Sequence, residues 1–338
     1  MDIDESTLSF GADGGLIGVL TRPATAASKE PARVGCLLLN VGLYHRIGPR
    51  RINVKAARQL ALEGIPSLRF DLSGVGDSRA SAAQSGFREQ ALADMKAALD
   101  EFQKATGLTR FIVLGICSGG ANGMSLALAD ERVVGLLMFD GYIFLTPGVR
   151  LERKLRRWAA FPVNASIRRS FPVWNDWMAW ARAPLDAQAR QRALGHITGR
   201  LTPRTTEETG ILDTGTEDYD APGFIRDMGA LVERGVDVYL LYSATLIAVD
   251  HGRDLLKGLG PQPFLDKLRY EHCPDIDHTA TTLASQRKLI ALAGAWALRV
   301  NAAQPAAVMT ASAPAAESRR TGATLAALER RVEAQRSG

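Results

Sequence analysis

The segment Phe111–Asn122, F-I-V-L-G-I-C-S-G-G-A-N, constrains this chain more than any other stretch. Phe111 to Ile116 is an unbroken apolar run of strand length, and a helix-compatible pattern continues from Ser125 to Asp130. The chain must therefore turn sharply between Gly115 and Gly120, with glycines where a Cβ would crowd its neighbours. Cys117 stands at the tip of that turn. A strand-to-helix turn of the form G-x-S-x-G, here with cysteine in the serine position, presents a nucleophile above the end of a sheet. Two registers compete. Centring on Cys117 puts glycine on both sides, whereas centring on Ser118 puts Ile116 where the turn wants glycine, so the spacing favours Cys117. A thiol at the positive end of a helix dipole is also drawn toward thiolate, from a pKa of about 8.5 into the range of roughly 3.5 to 7.5. The competing reading is an inert cysteine buried in a glycine-rich turn.

Around this turn the chain alternates strands with helices. Residues 6 to 21 read as a hairpin with its turn at Gly11–Gly15, and Val34 to Asn40 as a strand buried on both faces. A helix follows from about Asn53 to Glu63, a strand over residues 65–71, a helix over Gln90–Ala105, the turn segment, and a strand over Val133–Asp140. V-Y-L-L-Y-S forms a later strand and Leu283–Val300 a helix. This alternation predicts a mostly parallel sheet flanked by helices, with functional groups gathered beyond Asn40, Asp71, Ile116, Asp140, Ser243 and Glu271. The 338 residues, 46% apolar, suffice for one large α/β core with an insertion. The expected division is a core of residues 1–145 and 235–300, a helical cap over 146–234, and a flexible Ala/Pro-rich tail over 301–338. That tail could carry a short helix through Leu325, Leu328 and Val332.

Several classes are disfavoured. Cys36, Cys117 and Cys273 are odd in number and lack metal-ligand or C-x-x-C spacing, which speaks against a disulfide scaffold and for a reducing, cytoplasmic setting. No metal motif and no dinucleotide fingerprint is present, so no cofactor is expected. The net charge of +5 is too small an excess to argue for nucleic acid. Within the expected cap, Arg150–Arg169 holds seven basic residues against Glu152, and Trp158, Trp174, Trp177 and Trp180 follow. Three readings fit: an apolar ceiling with an anionic handle over a site, a surface helix with a solvated basic face, or contact with a membrane surface.

The N-terminal hairpin, the opening N-V-G-L-Y-H-R-I-G-P, the loop F-D-L-S-G-V-G-D-S at 70–78, the turn at 115–119 and a late histidine in D-I-D-H-T together resemble an α/β-hydrolase. The first two loops are similar to those of hydrolases associated with exosortase systems and of serine-aminopeptidase-like hydrolases. The cysteine at the elbow is shared with dienelactone hydrolases. The resemblance spans roughly residues 6 to 300 less the insertion. It implies His278 as the base partnering Cys117, and backbone amides of Ser118 and Leu43 as oxyanion donors. The family usually places an acid a few residues beyond the strand V-Y-L-L-Y-S, but Leu246 stands there. Two replacements remain open: Asp250, and Asp140, which is preferred because a strand's carboxyl end holds a side chain more firmly than a loop does. His45, Arg46 and Tyr142 are candidate substrate-binding residues. Asp71, Asp77 and Ser78 read as tying a glycine-rich loop to itself rather than as catalytic groups.

The resulting expectation is an enzyme that forms an acyl-cysteine from an ester, thioester or lactone and passes the acyl group to water. Its partner would be a small acyl substrate, free or carrier-bound. The alternatives are an acyltransferase using the same intermediate and a catalytically silent hydrolase-fold binding protein, for which the loss of the usual acid at Leu246 is the best argument.

Overall fold

The computed structural model describes residues 3–24, 31–42, 44–82, 85–142, 144, 221–244 and 256–305. The expected cap up to residue 220, Leu43, Asp250 and the tail beyond residue 305 lie outside them.

β1 (Ile3–Phe10) and β2 (Leu16–Pro23) pair antiparallel as the predicted hairpin. β3 (Gly35–Leu38), α1 (Ile52–Leu62), β4 (Ser67–Phe70), α2 (Phe87–Thr106), β5 (Phe111–Ile116), α3 (Ser118–Ala129) and β6 (Val133–Phe139) then alternate. After the insertion come α4 (Ala221–Glu233), β7 (Asp237–Ser243), β8 (Arg269–Cys273) and α5 (Leu283–Ala303). Among the described residues the eight strands form one sheet in the order β1-β2-β4-β3-β5-β6-β7-β8. From β4 to β8 all neighbours run parallel, while β2 meets β4 antiparallel.

The long apolar runs follow from burial on both faces. In β5, Phe111 and Val113 pack on one side with Met95, Leu99 and Phe102 of α2, Met124 of α3 and Phe224 of α4. Ile112, Leu114 and Ile116 point to the other side, with Ile52, Ala57 and Leu60 of α1 and Leu289, Trp296 and Val300 of α5. β7 alternates the same way, with Val238, Leu240 and Tyr242 on the first face and Tyr239 and Leu241 on the second. Strands sandwiched between helix layers have no polar face to show, which is why they read as continuous hydrophobic runs. The buried indole of Trp296 meets the one demand of its N–H through Asp237 Oδ1 at 2.9 Å.

Two differences from expectation have simple causes. α2 begins at Phe87, three residues early, directly after Gly86, whose extended backbone serves as its N-cap. α4 occupies residues assigned to the cap. Its Phe224, Met228 and Leu231 are buried in the same cluster as α3, so the core resumes by Ala221 rather than at 235. None of the described helices is long and apolar enough to cross a membrane.

The carboxyl end of β5 and the first turn of α3 touch through bare backbone. A Cβ on Gly115 would lie 2.2 Å from the Gly119 carbonyl oxygen, and one on Gly119 would lie 2.6 Å from that of Asn40. Neither neighbour is the tip of a flexible side chain, so no rotamer change relieves the overlap. Gly115→Ala is therefore expected to lower unfolding free energy by about 1–3 kcal/mol, read as a lower urea midpoint at unchanged m-value. An unchanged midpoint would contradict this contact.

Candidate active site

Cys117 adopts φ 55° and ψ −122°, a conformation rare for a residue with a Cβ. Such strain costs on the order of 1–3 kcal/mol and persists only where the surroundings enforce it. Here the Cys117 N–H donates to the Phe139 carbonyl at 2.8 Å, and the Gly120 N–H donates to the Cys117 carbonyl at 2.9 Å. The peptide is thus fixed by β6 on one side and by α3 on the other. The half-buried thiol stands at the amino end of α3, where the helix dipole favours negative charge.

Asp140 immediately follows β6 and is itself bent to φ 52°. Its N–H donates to the Leu241 carbonyl at 2.9 Å, and its Oδ1 accepts the Ser243 N–H at 2.7 Å, so β7 holds both its backbone and its carboxylate. The other oxygen, Oδ2, meets His278 Nδ1 at 2.6 Å. The carboxylate is buried and the imidazole half-buried.

The loop carrying His278 is stapled by its neighbour. Asp277 accepts the N–H and hydroxyl of Thr281 at 2.7 Å each and those of Thr279 at 3.3 and 3.0 Å. Desolvation opposes its ionisation, but these four donors outweigh it and hold the carboxyl at about 2. From α5, the Ser285 hydroxyl donates to the Asp275 carbonyl at 2.9 Å and the buried Gln286 amide to that of Ala280 at 3.0 Å. The pattern D-x-T-x-T is the sequence signal for this staple, because Asp side chains bond backbone N–H groups a few residues on.

With Nδ1 on Asp140, Nε2 is the ring nitrogen left over, and the charges of His278 and Cys117 are coupled. His278 is the main influence holding the thiol below its ordinary pKa, against the desolvation that would raise it. The Ser118 N–H adds a smaller pull in the same direction. Reciprocally, Asp140 foremost and Cys117 second push the imidazole up to about 10, against burial. The arrangement favours thiolate beside imidazolium. Cys36 contrasts with it: wholly buried and without a cation, its thiol is pushed far up.

The remaining sequence-predicted residues fall in different places. The Ser118 side chain is buried, and its Oγ accepts the Gly42 N–H at 2.8 Å. Leu43 and Asp250 lie outside the described residues. Arg46, a candidate for gripping substrate, instead has its guanidinium on the buried Asp71 carboxylate and on Asp77 Oδ2 at 2.7 Å. Two carboxylates neutralise it, which leaves it poorly suited to a substrate anion. Asp71 and Ser78 tie the loop as expected: Asp71 accepts the Asp77 N–H at 3.1 Å and the Ser78 hydroxyl donates to the Asp71 carbonyl at 2.7 Å. His45 is exposed on the loop after β3. Tyr142 is in the core, edge-on to Phe224 at 5.7 Å, and burial pushes its phenol up to about 12. Among the described residues no group of three or more His, Cys, Asp or Glu is arranged to hold a metal ion.

A parallel sheet whose first strands form an antiparallel hairpin, with a cysteine elbow at one strand end, a carboxylate at the next and a histidine after the last, defines a class of protein. The alpha/beta hydrolase fold family matches residues 37–210, and the chain belongs to that family. No curated protein sequence matches it. Solved structures of similar fold include a proline iminopeptidase of Mycobacterium smegmatis, with 16% identity over 89% of this chain and 99% of that one and a TM-score of 0.49. A dienelactone hydrolase from Anabaena variabilis is also similar, at 14% identity over 88% and 98% of the two chains and a TM-score of 0.45.

The coupling to His278 should make a measurable difference to the thiol. In an ultraviolet titration of thiolate, Cys117 should ionise below the ordinary value of about 8.5. His278→Ala should move its midpoint upward, because desolvation then acts unopposed by the cation. Equal midpoints in the two proteins would refute the coupling.

Proposed function

We propose that the protein hydrolyses carboxylic esters, thioesters or lactones through an acyl-cysteine intermediate, with Cys117 as nucleophile, His278 as proton carrier and Asp140 as the acid that orients it. The reading rests on one observation, the buried Asp140 carboxylate hydrogen-bonded to His278, whose imidazole is electrostatically coupled to the thiol of Cys117. Asp140 on His278 also offers an acid where the usual position holds Leu246, which weighs against a silent scaffold. Membership of the hydrolase-fold family supports the same class.

The thiolate of Cys117 attacks the acyl carbon, forming a C–S bond as the carbonyl π electrons move onto oxygen. The amides of Ser118 and Leu43 receive that oxyanion. On collapse the C=O bond re-forms and the bond to the leaving group breaks, and His278 Nε2 gives that group its proton. The acyl-cysteine is now neutral at sulfur. His278 has thereby lost one of the two partners that held its pKa up, and the neutral imidazole is ready to take a proton from water. The water oxygen bonds the acyl carbon, the second tetrahedral intermediate collapses with cleavage of the C–S bond, and the acid leaves. The proton taken from water stays on His278, restoring the thiolate–imidazolium pair. Asp140 keeps Nδ1 protonated throughout and so directs Nε2 to the reaction.

Acylation needs thiolate and imidazolium together, which fixes the sign of the pH dependence. The rate should rise as pH climbs through the lowered Cys117 pKa and fall as pH climbs through about 10, where His278 loses its proton. With short activated acyl esters and acyl-thioesters as substrates, intact mass spectrometry should find a single acyl adduct at Cys117. Cys117→Ala should lower kcat/KM by at least about 1,000-fold and Asp140→Asn by a smaller but large factor. Undiminished turnover in Cys117→Ala would end the proposal.

A further inference from the structure

The positive ends of two helices lie beside the histidine loop. α1 begins directly after Arg51 and α5 directly after Thr282, and neither has an acidic residue in its first turn, where one would offset the macrodipole. The helices are joined at this end. Lys55 Nζ donates to Gln286 Oε1 at 2.5 Å, and the Arg50 guanidinium reaches the Thr279 carbonyl, one residue past His278, at 3.5 Å. No Asp or Glu occurs from Val41 to Leu62, and Asp277 is the only one from Ile276 to Val300. Its carboxylate is taken up by Thr279 and Thr281.

Other cations on these helices and their approaches are neutralised. Arg46 lies on Asp71 and Asp77, Arg58 on Glu5 at 2.6 Å, Lys288 on Asp275 at 2.5 Å and Arg299 on Asp237 at 2.5 Å. Arg50, Arg51, Lys55 and Arg287 differ: among the described residues none of the four meets a carboxylate. Arg50, Arg51 and Arg287 are exposed. So are Leu283, at 62% and one turn before Arg287, and Tyr44, at 57% on the loop leading to α1. Small ligands are held in concave sites with convergent polar groups. Here the cations spread over two convex helix ends alongside exposed apolar side chains, which suits a protein surface of opposite charge. Resting on the acyl-cysteine reading above, we infer that this patch receives an acidic protein that carries the acyl group as a thioester, so that docking on α1 and α5 brings the thioester to the His278 loop.

Octanoyl thioesters of different carriers test this: one on an acidic acyl carrier protein, one on coenzyme A, a small polyanion, and one on N-acetylcysteamine, which is neutral. Wild type should show its highest kcat/KM with the protein-borne thioester, an advantage that shrinks as salt rises from about 50 to about 500 mM. Arg51→Glu combined with Arg287→Glu should lower that kcat/KM at least about tenfold, through KM, and leave the N-acetylcysteamine thioester within about twofold. Binding is read separately, as the fluorescence anisotropy of the labelled carrier protein, which should rise on titration with wild type and not with the double variant. Equal losses on all the thioesters, a preference for the coenzyme A thioester, or adhesion to phosphatidylserine vesicles with none to the carrier protein would overturn the inference. Should wild type cleave no thioester at all, the acyl-cysteine reading fails, while the anisotropy titration still decides whether the patch docks an acidic protein.

Discussion

The site depends on a backbone-to-backbone contact. Because Gly115 and Gly119 carry no side chains, the end of β5 and the first turn of α3 come closer than any Cβ would allow, and Gly119 in turn sits against the Asn40 carbonyl at the end of β3. A chain leaving a strand so close to the helix it enters has no room for a relaxed turn, and the residue between absorbs the bend at φ 55°. Cys117 is that residue. The same contact brings the loop after β3 beside the thiol, so the nucleophile and the segment opposite it are set by one steric constraint.

On this frame the electrostatics are layered. Asp140 is buried, and β7 gives its Oδ1 a backbone donor and leaves Oδ2 to the imidazole. That carboxylate is the largest reason His278 binds its proton so firmly, and His278 is in turn the largest reason the thiol lets its own go. Burial works against every ion in the chain, so each charge needs its neighbour, and removing one member changes the protonation of the next. The loop around His278 is correspondingly stiff, with Asp277 holding it from within and Ser285 and Gln286 from α5.

Much of this was legible in the sequence because it is carried by local pattern. The apolar period gave the strands, the glycines gave the bend, and the order of strand ends singled out Asp140, whose backbone is gripped by β7 as a strand end should be. What local pattern does not carry is the pairing of distant side chains. Arg46 reads as an available cation until the fold brings Asp71 and Asp77 onto it from 25 and more residues away. Tyr142, two residues past the acid, looks like a residue of the site, yet Phe224 from a helix 80 positions later covers it. α4 was hidden for the same reason: its apolar face matches α3, and nothing in residues 221–233 alone says which neighbour it meets.

The strain in the described backbone follows the same division. Six residues other than glycine have positive φ, and three of them, Cys117, Asp140 and Ala280, either bear the proposed chemistry or lie within two residues of His278. At about 1–3 kcal/mol each, such conformations persist only where the surroundings hold them. In each case a backbone hydrogen bond does: Cys117 N–H to Phe139, Asp140 N–H to Leu241, Ala280 N–H to Asp277. The acceptors for Cys117 and Asp140 belong to the next strand of the sheet, and that for Ala280 to the stapled histidine loop. A parallel sheet thus does more than present its strand ends side by side. Its unused carbonyls at those ends fix the bent peptides from which functional side chains project, so the aim of Cys117 and Asp140 is as rigid as the ladder itself.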